Sequence, residues 1–98
     1  MENLDKPKLT LLKAGESFKV FKVTGCAGVT MPLHHSTKEA VIMVQEGSAR
    51  LTIGGKHHLL QGGEAFVIPA GKSHSLSLET ELKAFVVMAP DSSIEFEI

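Results

Sequence analysis

Gly63-Glu64-Ala65-Phe66-Val67-Ile68-Pro69-Ala70-Gly71-Lys72-Ser73-His74 decides how this chain folds. A short apolar run, Ala65 to Ile68, starts after one glycine and stops at a proline, which cannot donate to a sheet ladder. Gly71 lets the backbone turn, and a histidine opens the alternating run that ends at Leu78. An earlier segment carries similar punctuation: Gly28, five residues, His34, then Gly47. The 15 residues from Ser48 to Gly62 lie between the two segments.

Outward from these segments the chain keeps a period of two, and no window holds a helical period. The pattern predicts strands at Leu9–Leu12, Ser17–Thr24, Thr30–His35, Ala40–Gln45 and Ala49–Ile53. It predicts others at Lys56–Leu60, Ala65–Ile68, Ser73–Leu78, Lys83–Met88 and Ile94–Glu97. Gly54-Gly55 is a two-residue hairpin signal, because both glycines accept positive φ. Ser36-Thr37-Lys38-Glu39 has the form of a helix capping box, but the β-branched run after it suits a strand, so Ser36 to Lys38 read as a connection. About ten short strands and no substantial helix make an all-β sandwich or barrel. At 98 residues, the chain reads as one domain, residues 1–98.

Composition narrows the function. A net charge of −1 excludes a backbone-tracking nucleic-acid binder, which needs a basic face. The longest apolar runs, Ala40 to Val44 and Ala84 to Pro90, are too short to span a bilayer as helices, and the charged start lacks the apolar stretch of a secretory signal. Cys26 is the one cysteine, so no internal disulfide forms and a cytoplasmic setting is expected. Cys26 itself reads as a small loop residue. Trp and Tyr are absent, so any pocket is walled by Phe, Met and aliphatic residues. Met31, Met43, Met88, Phe66 and Phe85 read as core filling.

Five histidines are present: His34, His35, His57, His58 and His74. Neighbours in a strand point to opposite faces, so neither adjacent pair can enter one interior together. His57 and His58 follow the hairpin turn, where at least one lies on a solvated face.

The two punctuated segments resemble the paired motifs of the cupin superfamily, a double-stranded β-helix or jelly-roll barrel. The first motif, residues 28–47, matches at Gly28, His34 and Gly47, with Ser36 at the second histidine position and Ala40 at the glutamate position. The second, residues 63–78, matches at Gly63, Pro69, Gly71 and His74, with Leu78 at the asparagine position. The resemblance implies a barrel interior lined by His34, Ser36, Ala40 and His74. Of its four metal ligands, His34 and His74 remain. A one-residue bulge between Glu39 and Gly47 would instead turn His35, Glu39 and His74 inward, a set like the facial triad of non-haem iron. The frame of His34 puts Ala40, Ile42 and Val44 inside, which is the better interior.

Three functions follow from this pattern. The first is a barrel that binds a small molecule, with or without a weakly held divalent metal (Fe, Mn, Ni or Zn). The second is a metal-dependent enzyme of the dioxygenase, isomerase or decarboxylase type with a reduced ligand set. The third is a non-catalytic dimeric scaffold. The resemblance also implies a homodimer, in which Leu9–Leu12 or Ile94–Ile98 pairs with a neighbouring subunit.

Overall fold

Ten runs of extended, alternating residues form ten strands, and the alternation makes them stack as two layers. A computed structural model describes residues 6–97. In chain order it contains β1 (Lys8–Ala14), β2 (Lys19–Gly25), β3 (Thr30–Ser36), β4 (Ala40–Glu46), β5 (Ser48–Ile53), β6 (Lys56–Gln61), β7 (Ala65–Ile68), β8 (His74–Leu78), β9 (Leu82–Met88) and β10 (Ile94–Phe96). Every expected strand is present, with ends displaced by at most two residues; Ser17 and Phe18, for example, precede β2. The described residues contain no helix. One sheet has the order β1-β2-β9-β4-β7 and the other β10-β3-β8-β5-β6, all antiparallel.

The core lies between the sheets. β4 buries Ala40, Ile42 and Val44 and turns Met43 and Gln45 outward. From the facing sheet come Ala49, Leu51, Leu60, Leu76 and Leu78. Burying one such leucine contributes about 1.5–3 kcal/mol. Met31 and Met88 belong to this interior, whereas Met43 and Phe85, expected there, are cross-strand partners on the outer face. Strand parity overrides their hydrophobicity.

The turns follow their residues. Gly54 and Gly55 have φ of 58° and 76°, the left-handed pair that a tight β5–β6 hairpin needs. Residues 37–39 join β3 to β4 without a helix, and Ser36, read from the sequence as part of the connection, is the last residue of β3: its hydroxyl donates to the Lys38 carbonyl (2.9 Å), and the Lys38 amide donates to Ser92 Oγ (3.1 Å). Gly47, between β4 and β5, has φ 86°, and a Cβ there would collide with the Glu81 carbonyl and the Thr80 hydroxyl.

Three strands carry register shifts: β1 between Leu11 and Lys13, β4 between Val44 and Glu46, and β3 between Met31 and His34. In β3 the shift comes at Pro32-Leu33, both exposed, after which burial resumes at His34. β1 and β10 each pair with one neighbour in the chain, β2 and β3 respectively. Ile98, named above as part of a pairing segment, lies outside the described residues.

Chemical denaturation of Gly47→Ala and Gly55→Ala separates two costs. Gly55 has open space around it, so its variant bears only the left-handed backbone penalty, about 1–2 kcal/mol. Gly47→Ala adds the collision and is expected to lose about 3 kcal/mol or more, or to fail to fold. Equal losses would show that space around Gly47 is not the constraint.

Candidate functional site

β3 and β8 pair so that His34 stands directly opposite His74, both side chains pointing between the sheets. Their ring centroids are 4.2 Å apart at 63°, edge to face, and the residues are only 6% and 4% exposed. The two glycine-punctuated segments meet here as well, because the Gly71 amide donates to the Ser36 carbonyl (2.7 Å) at the end of β3.

The bonds of these side chains determine what the site offers. His34 Nδ1 lies 2.6 Å from the Pro32 carbonyl, and His74 Nδ1 lies 2.9 Å from the Lys72 carbonyl. A carbonyl oxygen only accepts, so each Nδ1 carries the hydrogen, and a neutral ring then keeps its lone pair on Nε2. Burial holds both imidazoles neutral by pushing their pKa values below the ordinary histidine value, against the opposing pull of the two carbonyl bonds. The Ser36 hydroxyl, 3% exposed, likewise gives its proton to the Lys38 carbonyl. All three polar groups therefore turn lone pairs, not protons, toward the interior.

All three line a cavity of about 40 Å³ between the sheets, room for on the order of three waters. Ala40 is in its wall, so His34, Ser36, Ala40 and His74 come together as the motifs imply. The rest is aliphatic or thioether: Val23, Met31, Ile42, Leu51, Leu76, Val86 and Met88 among others. Among the described residues no lysine, arginine or carboxylate lines it. Several contributors escaped the sequence reading, among them two on β10. Ile94 lines the cavity, and the Phe96 ring lies 5.3 Å from the His34 ring. The alternation of Ile94 and Phe96 was legible, but nothing local said that this strand would lie beside β3.

The alternative set of His35, Glu39 and His74 is not assembled. His35 is on the opposite face of β3, with Nε2 3.3 Å from Glu95 and Nδ1 2.9 Å from Glu97. The hydrogen bond that His35 donates to the Glu97 carboxylate is the largest cause raising its pKa. Glu39 is exposed in the connection before β4. The shift in β4 does fall between Glu39 and Gly47, but after Val44, so it leaves Ala40 and Ile42 facing in. Among the described residues no three His, Cys, Asp or Glu side chains gather as a metal site. Elsewhere, His57 Nδ1 bonds the Thr52 hydroxyl (2.8 Å) on the outer face, His58 rests 4.8 Å from the Phe66 ring, and Cys26 is exposed.

Known proteins resemble this chain in sequence and fold. The chain is 34% identical over 67 residues to a quercetin 2,3-dioxygenase of Bacillus subtilis, a match covering 67% of this chain and 20% of that one. It is 35% identical over 71 residues to a mannose-1-phosphate guanylyltransferase of Salmonella typhimurium, covering 70% and 15%. The chain thus spans a fifth or less of these relatives' length. Among solved structures, an RmlC-like cupin protein from Desulfovibrio desulfuricans superposes with a TM-score of 0.76 at 26% identity, covering 92% of this chain and 90% of that one. The family model described as a cupin domain matches residues 23–90, from the last residues of β2 past the end of β9, and with the two sheets and the inward histidine pair this places the chain in the cupin family.

Proposed function

We propose that this barrel binds a small, mostly apolar molecule through a proton-donating head, held by His34, His74 and Ser36. One observation carries the reading: all three polar side chains give their protons to backbone carbonyls, so the cavity presents acceptors only. A hydroxyl, the N–H of a neutral amine or a water fits such an end. A carboxylate or phosphate does not, because nothing cationic lines the cavity and a buried unpaired anion is costly. The aliphatic walls suit a short hydrocarbon body, and Met31 and Met88 can adapt to its shape.

A second reading is favoured by the same lone pairs. Imidazoles that hold a metal usually donate their other ring nitrogen to a carbonyl or carboxylate, as both rings do here. His34 and His74 would then hold a divalent ion (Fe, Mn, Ni or Zn), which would supply Lewis acidity. Two histidines fall short of the three or four protein ligands of typical zinc sites, and no carboxylate joins them. The donor set therefore suits at most a weakly held ion.

Methionine-methyl and imidazole NMR spectra test the first reading with short alkanols, alkylamines and matched carboxylates. The alkanols and amines are expected to shift Met31, Met88, His34 and His74, and His74→Ala to abolish the effect. Response to carboxylates alone, or to none of the probes, would contradict it. Elemental analysis of untagged protein separates the second reading: near-stoichiometric metal, lost on His34→Ala, would move the ion to the front.

The neutral pair also predicts a pH dependence. Both folded-state values lie below the unfolded one, so under about pH 6.5 the unfolded chain takes up protons that the folded chain refuses. Their contribution is whole above that pH and is lost progressively below it. His35 acts oppositely: its raised value adds stability at low pH that fades as pH rises through the folded-state value. Denaturation of the His34→Gln, His74→Gln double variant from pH 7 to 5 should show a shallower acid loss than the parent. A steeper or unchanged loss would contradict the buried, neutral pair.

A further inference from the structure

We infer that β10 is a movable strap over the mouth of the cavity, hinged at Ser92-Ser93 and clasped at Glu97. The inference concerns access, and it holds whichever small molecule or ion the cavity takes.

The cavity holds only about 40 Å³, space for a few atoms, so anything larger is accommodated by displacing a wall. Two seams join the sheets. One lies where β6 runs through the Gly62-Gly63 turn into β7, with His58 packed on Phe66 across it. The other lies between β1 and β10, edge strands of different sheets, where Leu9 and Ile94 both reach the cavity. β1 is laddered to β2 at six positions and β10 to β3 at only three, so β10 is the element that opens more readily.

Its two ends differ in kind. The hinge end is anchored at one buried residue: Ser92 is 2% exposed, its hydroxyl accepts from the Lys38 amide and its carbonyl from Lys19 Nζ (2.6 Å), while the amide of the exposed Ser93 donates to Thr37 Oγ1 (3.0 Å). The far end is held by bonds near the surface. The Glu97 amide donates to the Leu33 carbonyl (2.9 Å), and its carboxylate accepts from Ser73 Oγ (2.5 Å) and His35 Nδ1 (2.9 Å). Between hinge and clasp, Ile94 walls the cavity and Phe96 lies on the His34 ring with 54% of its own surface exposed. Lifting the strand from the clasp uncovers His34 while leaving the Ser92 anchor intact.

A thiol reporter inside the cavity reads the opening. Ala40→Cys in a Cys26→Ser background places one reactive group at the cavity wall, labelled with methyl methanethiosulfonate. Adding Glu97→Gln with Ser73→Ala is expected to raise the labelling rate at least tenfold and to speed amide exchange at residues 94–97, with β4 and β5 still protected. Glu97→Gln alone should give a smaller rise. Faster exchange at 94–97 with an unchanged labelling rate would overturn the proposal, because entry would then lie elsewhere. A rate that rises only together with exchange in β4 and β5 would overturn it too, because the reporter would then follow global unfolding.

Discussion

Proline 32 has no amide hydrogen, yet it sits in β3, a strand paired on both sides, by β8 and by β10. A proline is tolerated in such a strand at a bulge, where the ladder is already interrupted. The register of β3 shifts by one residue there. From Met31, plain alternation would send Leu33 and His35 inward and His34 outward. The shift reverses that phase, putting His34 and Ser36 inside and His35 outside. The carbonyl of the same proline then receives the Nδ1–H of His34. One residue that cannot donate thus fixes both the direction of the ring and its tautomer.

The two faces of β3 show how far environment decides the chemistry of one side chain. His34, buried among aliphatic groups beside His74, is held neutral; His35, its neighbour in sequence, lies between Glu95 and Glu97 and is biased toward the cation. The inner face becomes an acceptor-only, low-polarity end to a small cavity. On the outer face, the bond from His35 to Glu97 helps hold β10 against the barrel. The pocket and its cover are therefore built from adjacent residues of one strand.

Most of the fold was legible in the sequence because its signals are local. Gly54-Gly55, Gly47 and Pro69-Ala70-Gly71 mark turns through their own backbone preferences, and a period of two marks strands without any knowledge of partners. Parity along β4 identified Ala40, Ile42 and Val44 as interior, and His34 and His74 were placed by motif spacing. What stayed hidden was phase and long-range pairing. The spacing of Glu39 and Gly47 suggests a bulge in β4, whereas the one that orients the site is in β3, where Pro32 is its only local sign. Met43 and Phe85 read as core by hydrophobicity and lie outside because their strands' phase puts them there. Nothing within Ile94 to Phe96 announces that this strand lies along β3 and over His34.

Long-range ¹H–¹⁵N correlation of the imidazole rings at neutral pH tests the central claim most directly. The account predicts that both His34 and His74 are neutral, protonated at Nδ1, with the lone pair on Nε2 facing the cavity. An Nε2–H tautomer at either ring, or a charged ring at pH 7, would contradict an acceptor-only site.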